Sequence, residues 1–278
     1  MLSILISIII TAAVVGGCIS ADIKSGTILI GILSFIASYY LVGALIRKKI
    51  KAVQAEIQAI MEEGQQRIHR KIQQAQTKPG ANIKLLQRQV ETDQKAIYKQ
   101  ALNLTDKFEP FKKWNPLMGR QIDTMRFQFL YQLKEFDQVD ALLASGGIFK
   151  GPMFMEPMAV AMKMARQYKN KDIAGVEKSF KRYIKWFRGE RGTLLYGLMS
   201  WVYVKTDRVE EARQMLLKAK DKTHNETLTF NWERLSNDKP KSFSNEGLGE
   251  EWYGLYLENP PQPKQQRVRA GGKGRRPF

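Results

Sequence analysis

Residues 27–51 read TILIGILSFIASYYLVGALIRKKIK, and the reading of the whole chain turns on the change of character at residue 47. The stretch 27–46 carries no charge and is as long as a helix must be to cross the hydrocarbon of a bilayer, at a rise of about 1.5 Å per residue. Arg47, Lys48, Lys49 and Lys51 follow at once, cations suited to anionic headgroups at the membrane surface. Upstream, residues 2–21 are equally free of charge, and Asp22 and Lys24 in the short link are the only charged side chains before Arg47. The sequence therefore predicts a two-helix transmembrane hairpin over residues 1–46. The formal net charge of +18 lies entirely beyond it.

A competing reading of the first apolar run is a cleaved signal peptide, or a lipoprotein signal ending at Cys18 on the loose lipobox VVGGC. Both call for a basic leader, and residues 1–11 contain no Lys or Arg. With two spans and four cations after the second, the positive-inside rule puts both termini on the cytoplasmic side, of the inner membrane if the source is bacterial. Ala12/Gly16, Ala13/Gly17 and Ser34/Ser38 stand at the small-xxx-small spacing that lets helices approach closely in lipid. Cys18 is the sole cysteine, so no disulfide within the chain and no cysteine-rich zinc site can form.

Beyond Ile46 the apolar residues Ile50, Val53, Ile57, Ile60, Ile68 and Ile72 recur in steps of three and four, with Gly64 falling in the same row. This is a coiled-coil seam with a stutter near Gly64. Thr77-Lys78-Pro79-Gly80 breaks it, and a second seam runs Ile83, Leu86, Val90, Ile97, Ala101, Leu104 and Phe108. Matched arms around a Pro-Gly turn predict an antiparallel coiled-coil hairpin over residues 47–118. The seams alone leave open pairing with a second copy of the chain as a homo-oligomer.

Residues 119–237 show self-similarity at about 36 residues, with units beginning near Arg120, Pro157 and Thr193. In each unit an apolar helix precedes a short polar turn and a second helix, which opens on Phe136, Ile173 or Val209. Val139, Val176 or Ala212 follows three residues later, and Leu143, Phe180 or Leu216 four beyond that. Helix pairs of this period bury their faces only by stacking on neighbours. The third unit, TLLYGLMSWVYVKTDRVEEARQMLLKAKDKTHNETL, resembles the tetratricopeptide repeat (TPR) family through Tyr196, Met199, Tyr203, Ala212, Leu216 and Ala219. It departs from that pattern at Ser200, Asp207 and His224, where a small residue, a glycine and a proline are usual.

The predicted fold class is thus all-α: membrane hairpin, coiled-coil hairpin, then a TPR-like α-solenoid of about three helix pairs, with residues 227–237 as a capping helix. Residues 238–278 read as a poorly ordered basic tail ending in Lys264, Arg267, Arg269, Lys273, Arg275 and Arg276. Within it, LGEEWYGLYLE at 248–258 is apolar enough to dock on the repeats, in a structure the sequence does not assign.

No constellation for catalysis, a cofactor or a metal emerges. His69 and His224 have no His or Cys at ligand spacing, and the pairs Glu62/Glu63, Glu210/Glu211 and Glu250/Glu251 diverge by about 100° on a helix. Met153, Met155, Met158, Met162 and Met164 have the chemistry for a soft metal, but their spacing equally fits a buried helix face. The expected function is instead that of a membrane-anchored scaffold, no enzyme, binding a partner protein. The resemblance puts its groove at Gln128, Tyr131, Tyr168, Lys169, Trp201 and Lys205, where the lysines imply an acidic segment or C-terminus as ligand. Arg47, Lys48, Lys49 and Lys51 would meet anionic lipid. The alternative is a tether for nucleic acid or ribosomes through the basic surface and tail. In SFKRYIKWFRGER (179–191) the aromatics are interleaved with cations, yet Phe180, Ile184 and Phe187 have the spacing of core residues.

Overall fold

The computed structural model describes residues 2–21, 26–76, 83–115, 117–145 and 151–261, and no strand occurs among them. They divide into two compact units, Met1–Ala159 and Val160–Phe278.

In the first unit, α1 (Leu2–Ser20) packs on α2 (Thr27–Gln76). Both are long and apolar enough to cross a membrane, and only 11% and 6% of their apolar windows is buried. A core helix would hide such side chains; these turn Ile, Leu and Val outward along their length, as lipid-facing helices do. Their close approach lies at Gly31, where an added Cβ would stand 3.0 Å from Val15 Cγ2. On α1 the inward row is Ser3, Ser7, Thr11 and Val15, and on α2 it includes Ser34 and Ser38. Ser7 and Thr11 donate their hydroxyls to the carbonyls of Ser3 and Ser7, which pairs both hydroxyls within the helix. Of the small-residue pairs expected at this interface, only Ser34/Ser38 lies on it. Ala12, Ala13, Gly16 and Gly17 are exposed, because the hydroxyl row one step round the helix serves the contact instead.

With no proline in its 50 residues, α2 runs unbroken from the span through Arg47 into the first coiled-coil arm. The four cations after the span, Arg47, Lys48, Lys49 and Lys51, are all exposed on it. The second arm is α3 (Ile83–Leu104), continued as a 3₁₀ segment, Thr105–Lys113. Lys71 pairs with Asp93, and Lys107 with Glu56 at 2.7 Å, so the arms are antiparallel within one chain. Gly64 supplies the hole for the Ile97 side chain, which any Cβ at residue 64 would strike. The stutter in the seam is thus a packing device. The Pro79-Gly80 turn falls outside the described residues.

At the base of the hairpin, Ile57, Ala101, Phe108, Met118 and Ile122 form one core, against which Ile50, Leu104 and Phe111 also pack. By Phe111 the chain has therefore returned to the core that Ile50 of α2 also joins. α4 (Met118–Gln132) and α5 (Phe136–Ala144) follow. Arg126 of α4 grips the 3₁₀ segment by donating to Thr105 Oγ1 at 3.1 Å and to Asp106 at 2.7 Å.

The remaining helices are α6 (Pro157–Lys169), α7 (Ile173–Tyr183), α8 (Thr193–Lys205), α9 (Val209–Thr223), α10 (Glu226–Ser236) and the short α11 (Glu250–Tyr253). Phe136, Ile173 and Val209 are the first residues of α5, α7 and α9, where the repeat register puts them. Two residues before each, Lys134, Lys171 and Asp207 adopt φ of 62°, 61° and 60°. The following N–H groups, of Glu135, Asp172 and Arg208, donate to Leu130, Gln167 and Tyr203. The same left-handed cap thus recurs at each helix junction without a glycine. Val139, Val176 and Ala212 are all fully buried. α10 begins one residue before the expected capping helix.

Candidate partner-binding site

α8, TLLYGLMSWVYVK, has no polar face, and a helix apolar all round must be covered all round. Every residue from Leu194 to Tyr203 is buried. The helices α7, α9 and α10 pack against it, and the segment 243–258 supplies further cover. Residues 238–278 were expected to be poorly ordered, but over 238–261 that expectation fails. Trp252 and Leu255 are 0% and 1% exposed, since LGEEWYGLYLE carries enough apolar surface to hold itself down.

Two asparagines pin the segment. Asn231 on α10 donates to the Ser244 carbonyl at 2.9 Å and to Asn245 Oδ1 at 3.0 Å, and accepts from the Ser244 N–H at 3.1 Å. Asn245 in turn donates to the Gly197 carbonyl of α8 at 2.9 Å. Both asparagines are fully buried and mutually satisfied, so they fix the register of the segment at little desolvation cost. At Gly197 a Cβ would lie 2.7 Å from Leu248 Cδ1, so a larger residue there would have to displace that methyl.

At the far end the Glu258 carboxylate accepts from two indoles, Trp201 Nε1 at 2.7 Å and Trp252 Nε1 at 2.9 Å. Lys205 Nζ stands 3.9 Å from the same carboxylate and 5.4 Å over the Trp201 ring. Tyr168 meets Trp201 edge-on at 4.9 Å, and Trp252 does so at 5.7 Å. Hydrogen bonds to an ionised acceptor are the stronger kind, and aromatic walls reduce the competing water. Burial pushes the Tyr168 phenol up, and pushes the Tyr203 phenol up with help from Glu177. Arg208 donates to Glu177 at 2.5 Å and to Glu211 at 2.8 Å, and those bonds raise its guanidinium further.

The six expected groove residues are therefore not one open face. Trp201 is 4% exposed beneath the chain's own Trp252 and Glu258. Tyr131 is 1% exposed, packed against Phe127 and Phe136 in the first unit. Both are core residues, because the helical spacing that marks a groove face also marks a packed one. Gln128 and Tyr168 are half-buried, and Lys169 and Lys205 exposed. The tail cations Lys264, Arg267, Arg269, Lys273, Arg275 and Arg276 lie outside the described residues.

Other candidates read as surface or core. Glu63, Glu210 and Glu211 pair with Arg67, Arg213 and Arg208, and Met162 and Met164 are buried. His224, at φ 51°, caps the C-terminus of α9. Beside α8 an open polar cleft of about 530 Å³ is bordered by Glu190, His224, Asn225, Glu226 and Glu251. Sequence reasoning missed Glu258, whose role needs two indoles distant in the chain. It also missed Trp186, 74% exposed amid cations, although Phe180 and Phe187 are buried as their spacing implies. In comparison with known proteins, the chain matches no protein-family model, no curated protein and no solved structure.

Proposed function

We propose that this protein is a membrane-anchored adaptor, cytoplasmic at both ends, whose TPR-like helix pairs present a slot for an acidic, aromatic segment of a partner protein. The observation that carries the reading is the seat of Glu258: the Trp201 indole N–H and Lys205 of α8 converge on its carboxylate, which Trp252 of the same segment also holds. The two spans would hold the adaptor at the bilayer, with Arg47, Lys48, Lys49 and Lys51 on its headgroups. The segment 246–261 is then the slot's resident ligand, and a partner presenting the same chemistry replaces it. Binding by exchange is weaker than binding to an empty groove by the population of the open form, which suits a regulated contact.

The test uses the full chain in lipid nanodiscs and a labelled peptide of residues 246–261, EGLGEEWYGLYLENPP. Glu258→Ala loosens the resident segment, so the peptide should bind this variant more tightly than the wild type. Adding Lys205→Glu and Trp201→Phe should abolish the gain. Glu258→Gln, which keeps shape and one acceptor, should fall between them. Absence of saturable peptide binding to every variant, with helical content intact by circular dichroism, would sink the slot reading. The topology is tested separately by a phosphatase fused after residue 278, which should be inactive where only exported enzyme folds.

A further inference from the structure

The outer face of α7 and the turn after it has a composition that core packing does not explain. From Lys178 to Arg191 the chain has six cations against one acid, Glu190. Val176, Ser179, Phe180 and Phe187 point inward, while Lys178, Lys181, Arg182, Lys185, Trp186 and Arg188 are exposed. Trp186 keeps 74% of its surface in solvent, an indole standing among these cations.

The cations are also crowded. Lys163 Nζ and Arg182 Cζ stand 5.5 Å and 5.4 Å from the centre of one ring, that of Tyr183. The Lys163 ammonium is held below its usual range by burial first, then by the like charges of Arg182 and Lys178. The Glu177 carboxylate is bound to Arg208 at 2.5 Å and lies 3.9 Å from Lys181, itself 76% exposed. Cations gathered this way favour a multivalent anion.

We propose that this face is a second membrane-contact surface, on which Lys178, Lys181, Arg182 and Lys185 bind the phosphates of anionic lipid while Trp186 enters the interface. The inference rests on the reading of α1 and α2 as membrane spans. Those spans confine the whole chain to a bilayer, so lipid is present at high effective concentration whereas a soluble polyanion must be recruited. An exposed indole also suits the headgroup level, where an amphipathic ring is wetted on one edge only. Each cation near an anionic surface is worth about fivefold in contact population, falling off within a Debye length of roughly 10 Å.

The experiment reconstitutes the full chain in vesicles of brominated phosphatidylcholine, alone or mixed with phosphatidylglycerol. The difference in emission between wild type and Trp186→Phe isolates the indole at residue 186. That component should be quenched in the anionic vesicles, spared in the zwitterionic ones, and released at about 1 M salt, where the Debye length is about 3 Å. Lys181→Gln, Arg182→Gln and Lys185→Gln together should lower the contact about a hundredfold. Quenching that ignores lipid charge, or none at all in a chain that resists alkaline carbonate extraction, overturns the proposal alone. A chain extracted by carbonate overturns the anchor and this surface with it. If an RNA oligonucleotide shifts the Trp186 component while anionic lipid does not, the face is a nucleic-acid surface and the proposal is also overturned.

Discussion

Trp252→Ala removes the largest buried side chain of the segment 243–258 that packs on α8. Trp252 is 0% exposed, meets Trp201 edge-on at 5.7 Å and donates to Glu258 at 2.9 Å. Truncating a buried aromatic residue to alanine costs about 3–5 kcal/mol, from lost transfer free energy and the cavity left behind. The Glu258 carboxylate keeps its bond from Trp201, and its 35% exposed side chain can also turn to water, so an unpaired charge adds little. That sum is smaller than the stability of a typical domain, so α6 to α10 should remain folded. It is comparable with what holds a single docked segment. At about 1.4 kcal/mol per decade, local opening of residues 243–258 should rise between a hundredfold and a few thousandfold. Native-state hydrogen exchange reads this directly. The amides of Trp252 and Leu255, which donate to the carbonyls of Gly249 and Trp252, should exchange faster by that factor. Those of α9 should barely change. Equal acceleration in α9 would show that the segment is part of one cooperative core, and would refute the idea of an exchangeable ligand. An unchanged rate at residues 252–255 would refute the energetic reasoning itself.

The hairpin makes a prediction of its own: Glu56→Cys with Lys107→Cys, in a Cys18→Ala background, should cross-link within one chain at any dilution. Dimers alone would mean the arms pair between copies. Gly64→Leu should lower the melting temperature by several degrees, because an overpacked seam costs about 1–3 kcal/mol; an unchanged value in thermal unfolding would deny that Ile97 needs the hole. Lys163→Met should raise stability at neutral pH. The sign follows from a folded pKa held below the unfolded one. The penalty is fully present below the folded pKa and is relieved as pH rises through it towards 10.5. The advantage of the variant in chemical denaturation should therefore shrink in alkali; an advantage that grows there would contradict the argument.

Much of this architecture is legible in the residues because it depends on local periodicity. The charge-free lengths before Arg47, the paired seams and the junctions before Phe136, Ile173 and Val209 are set by spacing along the chain, and spacing is what helices obey. The same logic could not say which apolar face is a groove and which is core. Tyr131 and Trp201 show why: an aromatic at helical spacing looks alike whether a partner or the chain itself covers it. Only the tertiary structure brings Glu258 to Trp201, 57 residues away, and Asn245 to Gly197, 48 residues away. These contacts join segments whose pairing no short-range pattern encodes. Trp186 is the converse. It sits one residue from the buried Phe187 in the same run of cations, and only the rotation of the turn after α7 decides that Phe187 is covered while Trp186 is left outside.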